Sequence, residues 1–417
     1  MNTLIQTYQA KQTEAMPLSA IRVALLLPKK QRDQLRARLV ATRFDLLTRQ
    51  ETLRDKAEKT IARKAKARIQ RKRTGETVNP WDRKAELKQA FEAVTKSLAP
   101  LRAKHTRAVR SYARALESVD AASLPTLSPE VMMRRIKAMH RGVLLWHGPS
   151  QINGEPVFAT IQFGSANRKT GSMRQTYILS AERSPLSALQ GRLEESICGT
   201  CVHRPQADGT RSCYVDLRSL ATVWQSVTGS GIRTGIATEG RYLTLQEVAS
   251  LCGVDTKRAL ELLGMGERVR LGTYGDPAAI PAALWSTLTS QAETWTGYTH
   301  QWQNDAVSSE QRQALKPLVR ASVDDAQGYQ ASTSTGWVPF VVTPDVETGR
   351  ALRALGSMPV ALCPASEEAG QKVTCATCPI GCKGDQGGKN LAVIIPAHGP
   401  FTAKRSYEGN AAKRWAI

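Results

Sequence analysis

The sequence predicts a mixed α/β protein: a (β/α)-barrel-like core on a parallel sheet, carrying two cysteine metal clusters and preceded by an α-helical, basic arm. Three observations predict it. Beyond residue 140, short β-rich runs alternate with helical patterns, the mark of successive β-α-β units. Seven of the eight cysteines fall in two short stretches. The charge is also uneven. Residues 1–141 hold 32 Lys+Arg against 13 Asp+Glu, and residues 142–417 hold 26 against 23, so most of the net charge of +22 belongs to the first region. The expected division is a helical arm over 1–141 and a metal-binding β/α core over 142–417.

The arm reads as helical to about residue 136, rich in Ala, Leu, Arg, Lys, Gln and Glu and nearly free of Gly. One long helix is expected over Gln31–Lys72, with Leu35, Leu39, Phe44, Leu46 and Leu47 as its apolar positions. Thr74-Gly75 and Asn79-Pro80 break it. Asp82 can cap a second helix that runs through about Glu117, giving a helical hairpin or coiled-coil arm that can also pair with a second copy.

The end of the first helix carries Lys56, Lys59, Arg63, Lys64, Lys66, Arg68, Arg71, Lys72 and Arg73. A charge run is often only a solvated helix face. Here the sign is so lopsided that a polyanion is the expected partner, DNA rather than RNA, held by its phosphates. No aromatic residues are interleaved, so base stacking is not expected on this stretch.

The chain, at 417 residues, is long enough for two or three domains. No apolar run approaches the roughly 20 residues that span a bilayer. The early run Ile21 to Pro28 is followed at once by Lys29-Lys30 and lacks the order of a signal peptide. A cytoplasmic protein is expected, and there CxxC spacing points to metal rather than to disulfides.

In the core, strands are expected at 157–163, 175–179, 213–217, 269–273, 295–298, 318–321, 337–342, 359–363 and 391–396. Helices are expected at 220–227, 245–251, 256–263, 281–291, 310–315 and 347–354. Six or more such units in a row are compatible with a closed barrel, and an open doubly wound sheet is the alternative. No GxGxxG or GxxxxGK[ST] is present, so dinucleotide and P-loop readings lose their main support.

In parallel β/α folds, functional groups gather where strands end. That places Asp276, His300, Asp324, Cys363 and His398 at successive strand ends and on one face. Asp276 and Asp324 can each be simple helix caps, and His300 can be a hydrogen-bonded interior histidine. Together on one rim they favour a site. Asp276, His300, Asp324 and His398 are the catalytic candidates, with His300 as general base or metal ligand and Asp276 orienting it.

The first cysteine group is Cys198-Gly-Thr-Cys201 with Cys213. It lacks the fourth ligand of a closed zinc site, for which His203 is the nearest candidate, although three cysteines can hold an iron–sulfur cluster with one open iron. The second group, Cys363, Cys375, Cys378 and Cys382, can close a metal site by itself. Zinc or an iron–sulfur cluster is the expected cofactor. Cys252, inside an apolar helix pattern, is expected in the core.

From Leu144 to Gly399 the chain resembles a family of cysteine-rich, uncharacterised proteins encoded by tailed phages and prophages. The matching stretches include Leu145-Trp146-His147-Gly148-Pro149-Ser150, Asn167-Arg168-Lys169-Thr170-Gly171, Ser196-Ile197-Cys198-Gly199-Thr200-Cys201, Ser212-Cys213-Tyr214-Val215, Gly272-Thr273-Tyr274-Gly275-Asp276-Pro277-Ala278-Ala279, Gly297-Tyr298-Thr299-His300-Gln301-Trp302 and Cys363-Pro364-Ala365-Ser366-Glu367-Glu368. The resemblance implies a mobile-element (phage or plasmid) origin and transfers no activity. The basic region lies outside it.

Three functions follow as expectations. The first is a DNA-binding metalloprotein of genome replication or nucleic-acid processing. The second is an iron–sulfur enzyme of radical type acting on a nucleotide or nucleic acid, although the three-cysteine spacing departs from CxxxCxxC. The third is a non-enzymatic, zinc-stabilised DNA-binding factor.

Overall fold

The computed structural model describes residues 16–74, 83–164, 167–191, 193–205, 211–215, 217–228, 242–356, 358–385, 389–398, 407 and 415. These divide into two compact units, one ending at Thr126 and one beginning at Leu127.

The first unit is helical. The early apolar run forms the helix Leu18–Leu26, with Ala20, Ile21, Ala24 and Leu25 fully buried. A single helix then covers Lys29–Arg73, roughly 68 Å at 1.5 Å per residue. Helices Arg83–Ser97 and Ala99–Glu117 fold back along it. The pairings run in opposite senses, as a hairpin requires: Lys64 with Glu86 at 3.0 Å, Leu46 with Val94 and Leu98, Asp45 with Lys104 at 3.3 Å, and Thr42 Oγ1 with His105 Nδ1 at 3.2 Å.

The second helix, expected to be continuous, breaks at Leu98 because Pro100 has no N–H to donate and suits only a helix's first turn. The proposed cap Asp82 lies outside the described residues. Of the apolar positions expected to anchor the long helix, Leu39 and Leu46 are buried, whereas Leu35, Phe44 and Leu47 are exposed. Helix Pro129–Met139, counted with the basic region by charge, packs instead on helices Leu245–Cys252 and Thr256–Gly264 of the second unit.

The second unit carries a ten-stranded, mostly parallel sheet. Its strands are β1 (Gly142–Pro149), β2 (Pro156–Gln162), β3 (Arg174–Ser180), β4 (Leu243–Thr244), β5 (Arg268–Tyr274), β6 (Thr294–Thr299), β7 (Arg320–Val323), β8 (Pro339–Thr343), β9 (Val360–Leu362) and β10 (Ala392–Pro396). The order is β4-β1-β2-β3-β5-β6-β7-β8-β10-β9. β1, β2 and β3 form an antiparallel meander. From β3 onward every pairing is parallel, with helices in most of the crossovers.

Expectation and structure part at several places, among them the strand β4, the helix Ala326–Ser334 and a later start of β8, and three more bear on the site. β1 is a strand that the alternation did not suggest. The strand expected at Cys213–Leu217 does not form. Arg211 donates to the carbonyls of Cys213 (3.0 Å) and Val215 (3.2 Å), and Cys213 N–H donates to His203 O (2.9 Å), so this backbone is satisfied locally, and a helix starts at Leu217. β7 begins two residues later than expected, which sets Asp324 immediately after its end.

The sheet packs on a conventional core, with Val269, Leu271, Trp285, Leu288 and Val319 fully buried. Arg320 is fully buried as well. Its guanidinium donates to the carbonyls of Lys383 (3.1 Å), Lys389 (3.0 Å) and Leu391 (2.7 Å), tying the end of the second cysteine loop to β7. Among the described residues, no helix is long and apolar enough to cross a membrane.

Candidate metal centre and adjoining cavity

β5, β6 and β7 each deliver one polar side chain just past their ends, Asp276, His300 and Asp324, and His300 links the other two. After β5, Asp276 caps the 3-10 turn Pro277–Ala279 by accepting from Ala278 N–H at 2.9 Å. Its other oxygen accepts the backbone N–H of His300, just beyond β6, at 2.8 Å. After β7, Asp324 receives two imidazoles: His203 Nε2 at 2.7 Å on one oxygen and His300 Nε2 at 3.1 Å on the other. The capping role that competed for Asp324 is taken by its neighbour Asp325, which accepts from Gly328 N–H. Asp324 is therefore left for the histidines.

Asp276 was expected to orient the His300 ring. It holds the His300 backbone instead, and Asp324 is the carboxylate on the ring. The reason is geometric: the Asp276 carboxylate is spent on N–H groups at the β5 and β6 ends, one strand short of the imidazole.

The first cysteine group reaches this cluster through a tight turn. Cys201 N–H donates to Cys198 O at 3.0 Å, and Gly199 sits at φ +51°. The turn is clamped by Gln301, a buried residue just past β6. Gln301 Oε1 accepts from Thr200 N–H at 3.1 Å, and Nε2 donates to Cys198 O at 2.9 Å. As a result Cys201 Sγ lies 3.8 Å from His300 Nε2. His203, two residues further on, is steadied by Ser212 Oγ at 2.9 Å on Nδ1 and by the Tyr407 ring stacked at 5.8 Å.

The electrostatics agree with this packing. Burial works against ionising Asp324, but the two histidines outweigh it and hold the carboxyl well below its usual range. Burial likewise opposes protonation of His300 and His203, but Cys201 and then Asp324 overcome it at His300, and Asp324 and then Cys201 at His203, so both are raised. Burial raises the Cys201 thiol, but His300 beside it leaves the thiol below its ordinary value. Burial raises Asp276, and the Ala278 N–H and His300 only partly offset it.

The Asp324 oxygens and the ring nitrogens of His203 and His300 offer three ligand atoms all within 4.8 Å of one another. Two imidazoles, a carboxylate and a neighbouring thiol suit a borderline divalent ion such as zinc. No three cysteine sulfurs meet the same distance condition among the described residues. The cysteines of the second group lie near one another without meeting that condition: Cys363, Cys378 and Cys382 pack on one apolar cluster with Phe340, Ile380 and Val393, Cys375 acts on both Cys363 and Cys382, and its N–H donates to Lys169 O at 2.8 Å. In the first group, His300 and Asp324 arrive from β6 and β7 beside Cys201, so mixed donors gather there rather than three sulfurs. Burial raises the thiols of Cys198 and Cys213. Cys252 is buried in the core as expected.

The cluster opens onto a cavity of about 730 Å³ lined by Asp276, His300, His203 and Cys201 and, elsewhere on its wall, by Lys169, Arg270, Tyr214 and His398. His398 thus shares the cavity with the other strand-end residues, but its contacts are different. Its Nδ1 lies 3.2 Å from Pro396 O, its Nε2 lies 3.3 Å from Lys169 Nζ, and its ring lies 5.1 Å from that of Tyr214. Lys169, Arg270 and Gln301 were not read from sequence as site residues. Each stands inside or beside one of the motifs quoted from the sequence, but only the folded chain shows that it turns inward.

In the first unit, Lys56, Lys59, Arg63, Lys64, Lys66, Arg71 and Arg73 are exposed and Arg68 is half-buried, with Lys59 paired to Asp55 and Lys64 to Glu86. The side chain of Lys72 lies outside the described residues.

Compared with protein-family models, curated proteins and solved structures, the chain matches none.

Proposed function

We propose that the α/β unit is a zinc-type metalloenzyme that processes nucleic acid for a mobile genetic element, in its replication or maturation, and that the helical unit holds DNA by its phosphates. One observation carries the catalytic part: His203, from the loop after the Cys198–Cys201 turn, and His300, just past β6, both present Nε2 to a single buried carboxylate, Asp324, at the end of the adjacent β7, and both histidines line a cavity. In this reading the sheet is barrel-like, with the strand ends forming its working rim.

His203, His300 and Asp324 would hold the ion as three protein ligands, with the Cys201 thiol beside them and not a fourth ligand, so a position would remain for substrate. Such an ion supplies Lewis acidity toward a phosphoryl oxygen. The remaining work belongs to the chain. Gln301 and Asp276 fix the turn and the backbone that carry the ligands, so the donors are set before substrate arrives. Tyr407 covers one face of His203 and keeps water from it. The mixed nitrogen and oxygen set favours zinc over an iron–sulfur cluster, whose irons are held mainly by thiolates. The cavity beside the donors favours an enzyme over a purely structural zinc clip, because structural sites are closed.

The basic face of Lys29–Arg73 supports the DNA-binding part, because clustered exposed cations gain affinity by releasing phosphate counterions. Val40, Phe44 and Leu47, exposed along the same helix at i, i+4 and i+7, support pairing with a second copy.

The deciding experiment is metal and inorganic-sulfide analysis of the full chain purified without oxygen, with a nuclease assay on single- and double-stranded DNA. One zinc per chain, lost in Asp324→Ala and His300→Ala together with activity, is expected. Iron with sulfide would overturn the zinc reading, and metal retained in both variants would remove the ion from this cluster.

A further inference from the structure

Two cations stand in the wall of the cavity without a carboxylate partner. Arg270, on β5, is 7% exposed. Its guanidinium lies over the Tyr298 ring at 5.0 Å and donates to Tyr214 Oη at 3.3 Å. Lys169 is half-buried, and its ammonium meets His398 Nε2 at 3.3 Å. No ion pair forms at either one among the described residues. Their neighbours are phenols, an imidazole and the thiols of Cys363, Cys375 and Cys382 at Lys169 and of Cys375 at Arg270, none of them a carboxylate. Burying charge without a counter-charge is costly, and natural sites seldom leave it so.

The backbone around Lys169 is built to turn it inward. Asn167 Oδ1 accepts from the N–H groups of Lys169 (3.0 Å) and Thr170 (3.2 Å), closing a tight turn. Gly171 completes it at φ +63°, where a Cβ would lie 2.7 Å from Thr374 Oγ1. The lysine carbonyl is fixed by Cys375 N–H at 2.8 Å. The run Asn167-Arg168-Lys169-Thr170-Gly171 therefore serves to aim one ammonium group into the cavity. His398 remains neutral there, pushed down to about 4 by burial and then by Lys169. Three groups that would repel one another if all were charged share one wall, and an anion among them would relieve the repulsion.

We propose that Lys169 and Arg270 form an anion subsite for the phosphate of a nucleotide or of a polynucleotide terminus, with Tyr214 stacking against its base. Arginine and lysine are the usual phosphate donors, and the cavity is large enough for a nucleotide. Tyr214 is 43% exposed, lines the same cavity, and already lies 5.1 Å from the His398 ring at a 30° tilt, so its other face is the natural platform. The choice of a nucleoside phosphate rests on the nucleic-acid reading above. The anion subsite itself rests on neither the metal nor the helical unit.

The test is calorimetric titration of the full chain with inorganic phosphate, deoxyadenosine, deoxyadenosine 5′-monophosphate, and a short oligodeoxynucleotide with either a 5′-phosphate or a 5′-hydroxyl. The monophosphate is expected to bind one per chain and at least tenfold more tightly than phosphate or nucleoside. Lys169→Met should weaken it tenfold or more. Tyr214→Ala should bring the monophosphate down to the affinity of inorganic phosphate. Arg270→Lys, which retains the charge, should bind more weakly but measurably, and circular dichroism checks that each variant is folded. A preference for the 5′-phosphorylated oligonucleotide over the free monophosphate assigns the subsite to a strand terminus, and the reverse assigns it to free nucleotide. Asp324→Ala should leave monophosphate binding in place, so loss of the metal reading would not touch this one. Monophosphate affinity unchanged in both Lys169→Met and Tyr214→Ala, or no binding of any phosphate, would overturn the proposal.

Discussion

Asp276 holds His300 by its backbone and not by its ring: the carboxylate accepts the His300 N–H at 2.8 Å, while the imidazole turns to Asp324. Asp276 is therefore a positioning residue. Replacing it with Ala leaves the buried N–H groups of His300 and Ala278 without acceptors. Each such loss costs about 1–3 kcal/mol. We expect Asp276→Ala to lower stability by that order in urea denaturation while metal stoichiometry is retained. Complete loss of metal would make Asp276 a ligand.

The Cys198–Cys201 turn offers a second check. Gly199 lies at φ +51°, and a Cβ there would fall 2.1 Å from Gln301 Oε1. A side chain at this position both strains the backbone, by about 1–3 kcal/mol, and displaces the glutamine that clamps the turn. Gly199→Ala should reduce stability and weaken metal binding together, because Cys201 and His203 both follow the turn. Gln301→Ala, which removes the clamp without backbone strain, should weaken metal binding with a smaller stability loss. Unchanged metal affinity in both variants would show that the turn does not position the donors.

How much of this was legible in the sequence depends on which physical rule decided each feature. The strands β5 to β10 and most of the helices between them, though not Ala326–Ser334, follow from local alternation of apolar character, and the strand-end rule alone puts Asp276, His300 and Asp324 on one rim. What that rule does not give is which carboxylate meets which ring, because Asp276 and Asp324 both precede a helix start and differ only in whether a neighbour, Asp325, takes the cap. His203 was visible only as a possible partner of the cysteines. Its contact with Asp324 spans 121 residues, and no local pattern encodes it. The cysteine spacing suggested a sulfur-only site for the second group and three sulfurs, with His203 or an open iron, for the first, because two-residue gaps permit convergence. Whether sulfurs meet each other or a histidine is decided by what β6 and β7 deliver. Cys213–Leu217 looked like a strand from its β-branched and aromatic residues, and the Arg211 side chain overrode that propensity.

A pH effect follows from Glu267. Lys137 Nζ lies 2.9 Å from it and Arg174 Nε 2.8 Å. Burial raises the Glu267 carboxyl, but Arg174 and Lys137 more than offset this and leave it below its ordinary value. Lys137 is itself lowered, chiefly by its own burial, so the lysine half of the pair is worth less than the shift of the carboxylate alone suggests, and the arginine half carries more. A depressed carboxyl contributes stability above its unfolded pKa, about 4.3, and loses it as pH falls through the lower folded value. Glu267→Gln should therefore destabilise the protein by about 3 kcal/mol at pH 7, the order found when one partner of a buried pair is removed. The gap to the native chain should close as pH is lowered below about 4. Denaturation midpoints measured from pH 3 to 7 check it, and a gap that stays constant with pH would assign the loss to packing.

The helical unit makes the last prediction. Deleting residues 1–141 is a poor test of it, because Pro129–Met139 packs with the α/β unit and the sheet begins at Gly142. Substituting exposed cations in the full chain avoids that. Lys56, Arg63, Lys66 and Arg73 are exposed on the Lys29–Arg73 helix. Glutamine at each keeps helix propensity close to that of the original residues. Each phosphate contact contributes about 0.9 to the slope of log affinity against log salt. If these four side chains lie on DNA, the fourfold Gln variant should reduce that slope by up to roughly 3 to 4 and weaken binding at moderate salt, with helicity by circular dichroism unchanged. The loss should be similar for unrelated DNA sequences, since phosphate contacts carry no base information. A slope identical to that of the native chain would mean that DNA is held elsewhere, and the charge of this helix would then be a solvated face with no nucleic-acid role.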